Sequence, residues 1–171
     1  MRGMKMFKAA IITVSDKGAA GLRKDESGPI VKEIIEKEAA DFCRVEKMLI
    51  LPDEPEKLKD AFIAMSDSEG MDLILTTGGT GLSPRDFTPE ATTEVADRMV
   101  PGIAEYMRGK SMEITPRAML SRGVAAIRKK TLIINLPGSP KAAEENLEAI
   151  LPALRHGLEV LTGQSSECGK G

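Results

Sequence analysis

The 171 residues fit one domain, since domains usually run to about 100–200 residues, and a chain of this size buries about 70% of its unfolded surface without staples. Its 24 Lys and Arg against 26 Asp and Glu give a formal net charge of -2, which excludes the strong basic field of a general nucleic-acid binder. No apolar run approaches the ~18 residues of a membrane span, so a cytoplasmic setting is the default expectation.

In chain order, residues 6–14 (MFKAAIITV) form an apolar run that predicts a buried strand. A polar loop, residues 15–26, carries Gly18 and Gly21. Ser27, Gly28 and Pro29 then predict a helix, with Ser27 as its cap and Pro29 in its first turn. Ile30, Val31, Ile34 and Ile35 share one face of it. Residues 43–51 predict a second strand, ended by Pro52-Asp53-Glu54-Pro55. Leu58, Ala61, Phe62 and Met65 stripe the helix that follows, and residues 71–76 (MDLILT) predict a third strand. Strand, helix, strand, helix, strand is the pattern of a parallel sheet covered by helices, whose right-handed crossovers bring the strand ends to one edge.

Beyond a glycine-rich loop, Thr88-Pro89-Glu90 reads as cap, first-turn proline and acidic second position of a helix. Pro101 and Gly102 break that helix and start another, and Pro116 interrupts again. Residues 124–127 and 131–135 predict strands joined by the basic turn Arg128-Lys129-Lys130. A hairpin there makes the sheet mixed. Residues 140–161 predict a last helix, striped by Leu147, Ile150, Leu151, Leu154, Leu158 and Leu161 and kinked at Pro152. Residues 1–163 are expected to form a single domain and 164–171 a flexible tail.

The chemistry concentrates in Thr76-Thr77-Gly78-Gly79-Thr80-Gly81 and the Ser83-Pro84-Arg85-Asp86 behind it. Three glycines just after a buried strand let the backbone approach a ligand, and their amides can converge on an anion. A tight turn would use glycines too; Arg85 as an anion partner and Asp86 as a metal or base carboxylate favour the binding reading. Asp53 lies in the loop after the second strand, on the same edge. It is either a second site carboxylate or a cap for the Pro55 helix. Two acids facing a phosphate cradle would need Mg²⁺ between them and the nucleotide. Two further loops share the edge: residues 15–27, with Thr13, Ser15, Asp16 and Asp25, and residues 136–140, where Ser139 also suits a plain helix cap. Cys43 opens an apolar run and reads as a small buried side chain, Cys168 lies in the polar tail, and neither suggests a metal or a disulfide. His156, the single histidine, lies outside every one of these loops, so no Ser-His-Asp arrangement is available.

Together these stretches resemble the molybdenum-cofactor biosynthesis family, in particular its molybdopterin adenylyltransferases. The resemblance rests on TVSD at 13–16, LPDE at 51–54, LILTTGGTGLSPRDFTPEAT at 73–92, TPRAMLSRGVAAIR at 115–128 and LIINLPGSP at 132–140. It implies a three-layer α/β/α sandwich around a mostly parallel, mixed sheet, usually assembled as a homotrimer. It also implies AMP transfer from ATP to the terminal phosphate of molybdopterin with Mg²⁺, and a product that passes to the molybdenum-insertion enzyme. By the same similarity Gly78, Gly79, Thr80 and Gly81 lie at the nucleotide, and Asp53 and Asp86 are the essential carboxylates. Ser111 and Ser121 match serines near the pterin, with Arg122 and the loop of Pro137, Gly138 and Ser139 close by. A pterin-binding or scaffold protein on the same fold is the alternative.

Overall fold

The runs at residues 6–14, 71–76 and 131–135 become strands because each is too short and too uniformly apolar to do anything but cross a core, whereas residues 43–51 alternate along the sheet edge. A computed structural model describes residues 5–164. Its parallel strands are β1 (Phe7–Val14), β2 (Cys43–Leu51), β3 (Leu73–Thr77) and β6 (Thr131–Leu136). The expected hairpin forms: β5 (Ala125–Arg128) runs antiparallel to β6, and a two-residue β4 (Arg98–Met99) is antiparallel to β5. The spatial order is β2-β1-β3-β6-β5-β4, a mixed sheet.

Period-2 alternation sends successive strand residues to opposite faces. Phe7, Ala9, Ile11, Leu73, Leu75, Leu132 and Ile134 meet α2 (Ser27–Glu38), α5 (Pro101–Met112) and α6 (Pro140–Leu161). Ala10, Ile12, Val14, Ile74 and Ile133 meet α3 (Pro55–Ile63) and α4 (Thr88–Val95). The result is helix, sheet, helix: the expected three-layer α/β/α sandwich. Helix α6 runs unbroken through Pro152. Cys43 is buried, and burial pushes its thiol pKa up to about 12, as befits an inert core side chain. The residues expected to form the tail, including Cys168, lie outside the described ones except for Gln164. Among the described residues, no helix is long and apolar enough to cross a membrane.

Three local expectations need correction. The polar loop after β1 holds a one-turn helix α1 (Asp16–Ala19), capped by Ser15, whose Oγ accepts the Gly18 N–H at 3.0 Å. Ser27 does not cap α2. It is buried, and its hydroxyl meets Thr77 Oγ1 at 2.9 Å, while the Asp25 carboxylate takes the Gly28 N–H at 3.0 Å. Thr88 is likewise the first helical residue rather than the cap, because its hydroxyl donates to the Gly78 carbonyl at 3.0 Å.

Candidate active site

Each loop of interest leaves the C-terminal end of a parallel strand, so the topology brings residues 15–26, 52–54, 78–87 and 137–139 to one edge. The turn at Gly78 and Gly79 uses φ +93° and +66°, which side chains of L-residues rarely adopt. Space is equally restrictive: a Cβ would stand 2.4 Å from the Val14 carbonyl oxygen at Gly78 and 2.2 Å from Thr88 Oγ1 at Gly79. Gly138 seats against this turn, since its own Cβ would lie 3.2 Å from Gly78 Cα. Among the described residues, no acceptor takes the N–H of Gly79, Thr80 or Gly81, although Thr80 is buried. Three successive amides with no protein acceptor take theirs from water or from a ligand. An anion would complete their bonding.

Two carboxylates flank the turn. Asp53 and Asp16 exchange hydrogen bonds: Asp53 Oδ2 accepts the Asp16 N–H at 2.9 Å, and Asp16 Oδ1 accepts the Asp53 N–H at 3.0 Å. That pairing rules out the helix-cap reading of Asp53, and Glu54 occupies the cap position of α3 without a side-chain bond. The other oxygen of Asp53 lies 3.4 Å from where a Gly79 Cβ would stand. Burial holds the Asp53 pKa above its ordinary value, and the charges of Asp16 and Asp86 push the same way. The Asp16 N–H and Arg85 oppose the shift. Asp86 Oδ2 accepts the Ser83 N–H at 3.0 Å and stands 2.9 Å from the site of a Gly81 Cβ.

Two arginines hold this frame. Arg85 clamps Asp16 through Nε at 2.6 Å and Nη2 at 2.9 Å, and reaches the Asp53 carbonyl at 3.3 Å. The clamp lowers the Asp16 pKa. Arg85, expected as an anion partner, is therefore bonded to the loop that orients Asp53. Arg122 bonds the carbonyls of Gly81 at 2.8 Å and Asp86 at 2.5 Å and pairs with Glu90. Its own N–H donates to Thr80 O at 2.8 Å.

A cavity lies on each side of the turn. The first, about 400 Å³, is lined by Ser15, Ser27, Gly78, Gly138 and Ser139 together with Arg23 and Lys24. The N-termini of α2 and α6 both open on it, and their dipoles favour negative charge there. The second, about 470 Å³, is lined by Thr80, Gly81, Ser111, Ser121 and Pro137 with apolar walls such as Met107 and Leu120. Thus the expected site residues sort into three groups. Some line one cavity or the other, Thr13 and Asp25 included with the first, and Gly79, Asp53, Asp86, Arg85, Asp16 and Arg122 frame the turn between them.

Asn135 is a site-organising residue that the sequence reading passed over. Its buried amide bonds Thr76 Oγ1 at 3.2 Å and Thr92 Oγ1 at 3.0 Å, and its Oδ1 takes the Val124 N–H at 3.2 Å. It so fixes the segment carrying Ser121 and Arg122. The available signal was one amide in the otherwise apolar run LIINL, at the strand end that faces the site.

Fold and site together define a class: an α/β protein with a glycine turn suited to an anionic ligand, acidic residues beside it and a compartment on either hand. Residues 10–156 match the family model described as "Probable molybdopterin binding domain", and the chain belongs to that family. It is 43% identical over 145 residues to the molybdopterin adenylyltransferase of Haemophilus influenzae, covering 85% of this chain and 73% of that one. Similarity to the molybdopterin adenylyltransferase of Helicobacter pylori strain 26695 is 39% identity over 160 residues, 94% of this chain and 90% of the other. Among solved structures, the molybdopterin biosynthesis enzyme MoaB of Thermus thermophilus superposes with a TM-score of 0.87 at 51% identity, covering 95% of this chain and 100% of that chain.

Proposed function

We propose that the chain is a molybdopterin adenylyltransferase of molybdenum-cofactor biosynthesis, moving AMP from ATP to the terminal phosphate of molybdopterin and releasing pyrophosphate. The observation that carries this reading is the set of three unpartnered N–H groups, Gly79 to Gly81, between two cavities of different character. The polar cavity, with two helix N-termini, Arg23 and Lys24, suits the polyphosphate chain of ATP. The second, with apolar walls, suits a flat pterin, whose edges Ser111 and Ser121 can meet. The names of the curated relatives support the same assignment.

In this reading an oxygen of the pterin phosphate attacks the α-phosphorus of ATP. A new P–O bond forms, the α–β bridging bond breaks, and its electron pair leaves with pyrophosphate. The attacking phosphate is already ionised at neutral pH, so a general base is not required. The difficulty is to hold two anions together and to stabilise the charge that shifts toward the leaving group. The amides of the turn meet that charge, while Arg122 fixes the turn by its carbonyls. Asp16 and Arg85 fix Asp53.

Among the described residues, no group of three or more His, Cys, Asp and Glu side chains is placed to hold a metal. The Asp53 and Asp86 pair nonetheless fits Mg²⁺, which takes one or two carboxylates and completes its shell with phosphate oxygens and water. These two residues are the proposed ligands, and Mg²⁺ bound there would neutralise charge on the leaving pyrophosphate. The reading extends to residues 1–163 acting as one domain in the cytoplasm, to a homotrimer, and to delivery of the product to the molybdenum-insertion enzyme. Exposed Met112, Ile114 and Met119 support a surface for subunit association.

The test is incubation with ATP, MgCl₂ and molybdopterin, with pyrophosphate followed by a coupled assay. Pyrophosphate stoichiometric with pterin, and none without it, is the expected result. Turnover in the absence of pterin would identify another acceptor, and pterin binding with no pyrophosphate would make the chain a binding protein.

A further inference from the structure

The second cavity contains a carboxylate for which the mechanism above has no use. Glu145, on the second turn of α6, is the one acidic residue lining that cavity. Its side chain is 31% exposed, and its one ion pair among the described residues, with Lys141 Nζ, is at 3.8 Å, beyond hydrogen-bond reach. No donor among the described residues bonds either of its oxygens. Of the neighbouring polar side chains, Asn146 and Arg108 are already engaged, whereas the exposed Arg117 makes no side-chain bond with a described residue. Asn146 donates to Ser111 Oγ at 2.9 Å and to Ala142 O at 2.7 Å, and Arg108 donates to the carbonyls of Gly123 at 2.8 Å and Ser121 at 3.4 Å. A half-buried carboxylate with both acceptor oxygens free of protein donors is placed to bond a ligand that brings two donors side by side.

We propose that Glu145 reads the 2-amino-4-oxopyrimidine edge of the pterin, accepting hydrogen bonds from its ring N3–H and 2-amino group. The inference rests on the assignment of this cavity to molybdopterin. Chemistry selects the pterin over the other substrate's base. The pterin edge presents adjacent N–H donors that match a carboxylate in bidentate fashion, whereas adenine sets its amino donor beside the lone pair of N1, which a carboxylate repels. Glu145 thereby keeps ATP out of the pterin compartment as well as holding the pterin in it. The apolar walls from Ala104, Met107 and Leu120 cover the ring faces, and Thr80 and Gly81 lie at the end of the cavity that adjoins the glycine turn.

The experiment uses two fluorescent probes that differ at one position: 6-methylpterin, and 6-methyllumazine, in which oxygen replaces the 2-amino group. Fluorescence titration of the full chain is expected to give at least ~10-fold tighter binding of the pterin. Glu145→Gln is expected to weaken pterin binding by about 10–100-fold and to abolish the preference over lumazine. The KM for ATP should stay within about two-fold of the parent value. Glu148→Gln, on the exposed side of the same helix, should change neither, and matching thermal melts would establish that both variants fold. A Glu145→Gln chain that retained the preference, or that raised the KM for ATP instead, would overturn the role of Glu145 while leaving the pterin assignment standing. If the unmodified chain bound neither probe, the pterin assignment itself would fall, and the role of Glu145 with it.

Discussion

Replacing Gly79 by alanine should destabilise the domain through one identifiable collision. The new Cβ would stand 2.2 Å from Thr88 Oγ1, well inside van der Waals contact. Thr88 has little freedom to yield, because it is fully buried and its hydroxyl holds the Gly78 carbonyl at 3.0 Å. A φ of +66° adds backbone strain of about 1–2 kcal/mol for a residue with a Cβ. Overpacking adds about 1–3 kcal/mol, so the sum is about 2–5 kcal/mol out of the ~5–15 kcal/mol available to such a domain. Thr88→Ala alone loses one hydrogen bond and one buried methyl, about 2 kcal/mol together. In the double variant the collision with Oγ1 is gone, leaving the strain and a tight 3.2 Å contact with the Cβ of residue 88. The pair should therefore be more stable than the sum of the singles by about 1–3 kcal/mol. Gly78→Ala is the contrast: its collision, at 2.4 Å, is with the backbone oxygen of Val14, and Thr88→Ala offers it no relief. Urea unfolding at 25 °C measures the parent, the three single variants and the two doubles with Thr88→Ala. Additivity of Gly79→Ala and Thr88→Ala within about 0.5 kcal/mol would refute the argument.

Three further outcomes are expected. Asp16→Ala removes the acceptor for both the Asp53 N–H and Arg85, so kcat for pyrophosphate release should fall about 10–100-fold, and Arg85→Ala should add little on top of it. Asp53→Asn should lose ~10²-fold or more in rate yet raise the melting temperature at neutral pH. Burial raises the Asp53 pKa, so the folded chain binds that proton more tightly than the unfolded chain, and the ionised carboxylate subtracts from stability. The subtraction fades as pH falls through the folded value and is gone below the unfolded value near ~3.9. Melting curves from pH 8 to pH 3 should therefore converge, and a lower melting temperature for Asp53→Asn at pH 7 would contradict this account. Arg122→Lys replaces a planar fork by a point charge, and amide exchange across residues 81–87 should accelerate about 10-fold as bonds to Gly81 and Asp86 are lost.

The strands were legible because burial on both faces leaves a run such as MDLILT no alternative, and α6 was legible from its long apolar stripe. The hairpin followed from a basic turn between two apolar runs. What escaped was set by tertiary contacts rather than local pattern. Ser27 and Thr88 look like caps, but each hydroxyl is drawn to the glycine strand-turn, one to Thr77 and the other to the Gly78 carbonyl. The two residues of β4 are too few to carry a period, and they pair because Asp97 and Val100 bond the backbone of β5 on either side. At the site, glycine spacing and the strand-edge rule brought Asp53 and Asp86 together. The sequence has no way to reveal that Arg85 turns to Asp16, since a guanidinium beside a glycine loop suits a phosphate equally well. Glu145 was hidden in the charged run KAAEEN, which reads as a solvated helix face.

The seating of Gly138 against Gly78 bears on how the protein is made. Strand β3 pairs with β1 on one side and with β6 on the other. A growing chain can therefore lay down β1, β2 and β3 in order while one edge of β3 stays bare. That bare edge persists until Thr131–Leu136 has left the ribosome. The cradle closes only one step later, when residue 138 arrives on the turn. A chain halted before that point would hold most of its helices and no working site, with an open apolar strand edge inviting aggregation. Catalysis is thus out of reach of any translation product that stops short of Gly138, because the turn it must seat against is then incomplete.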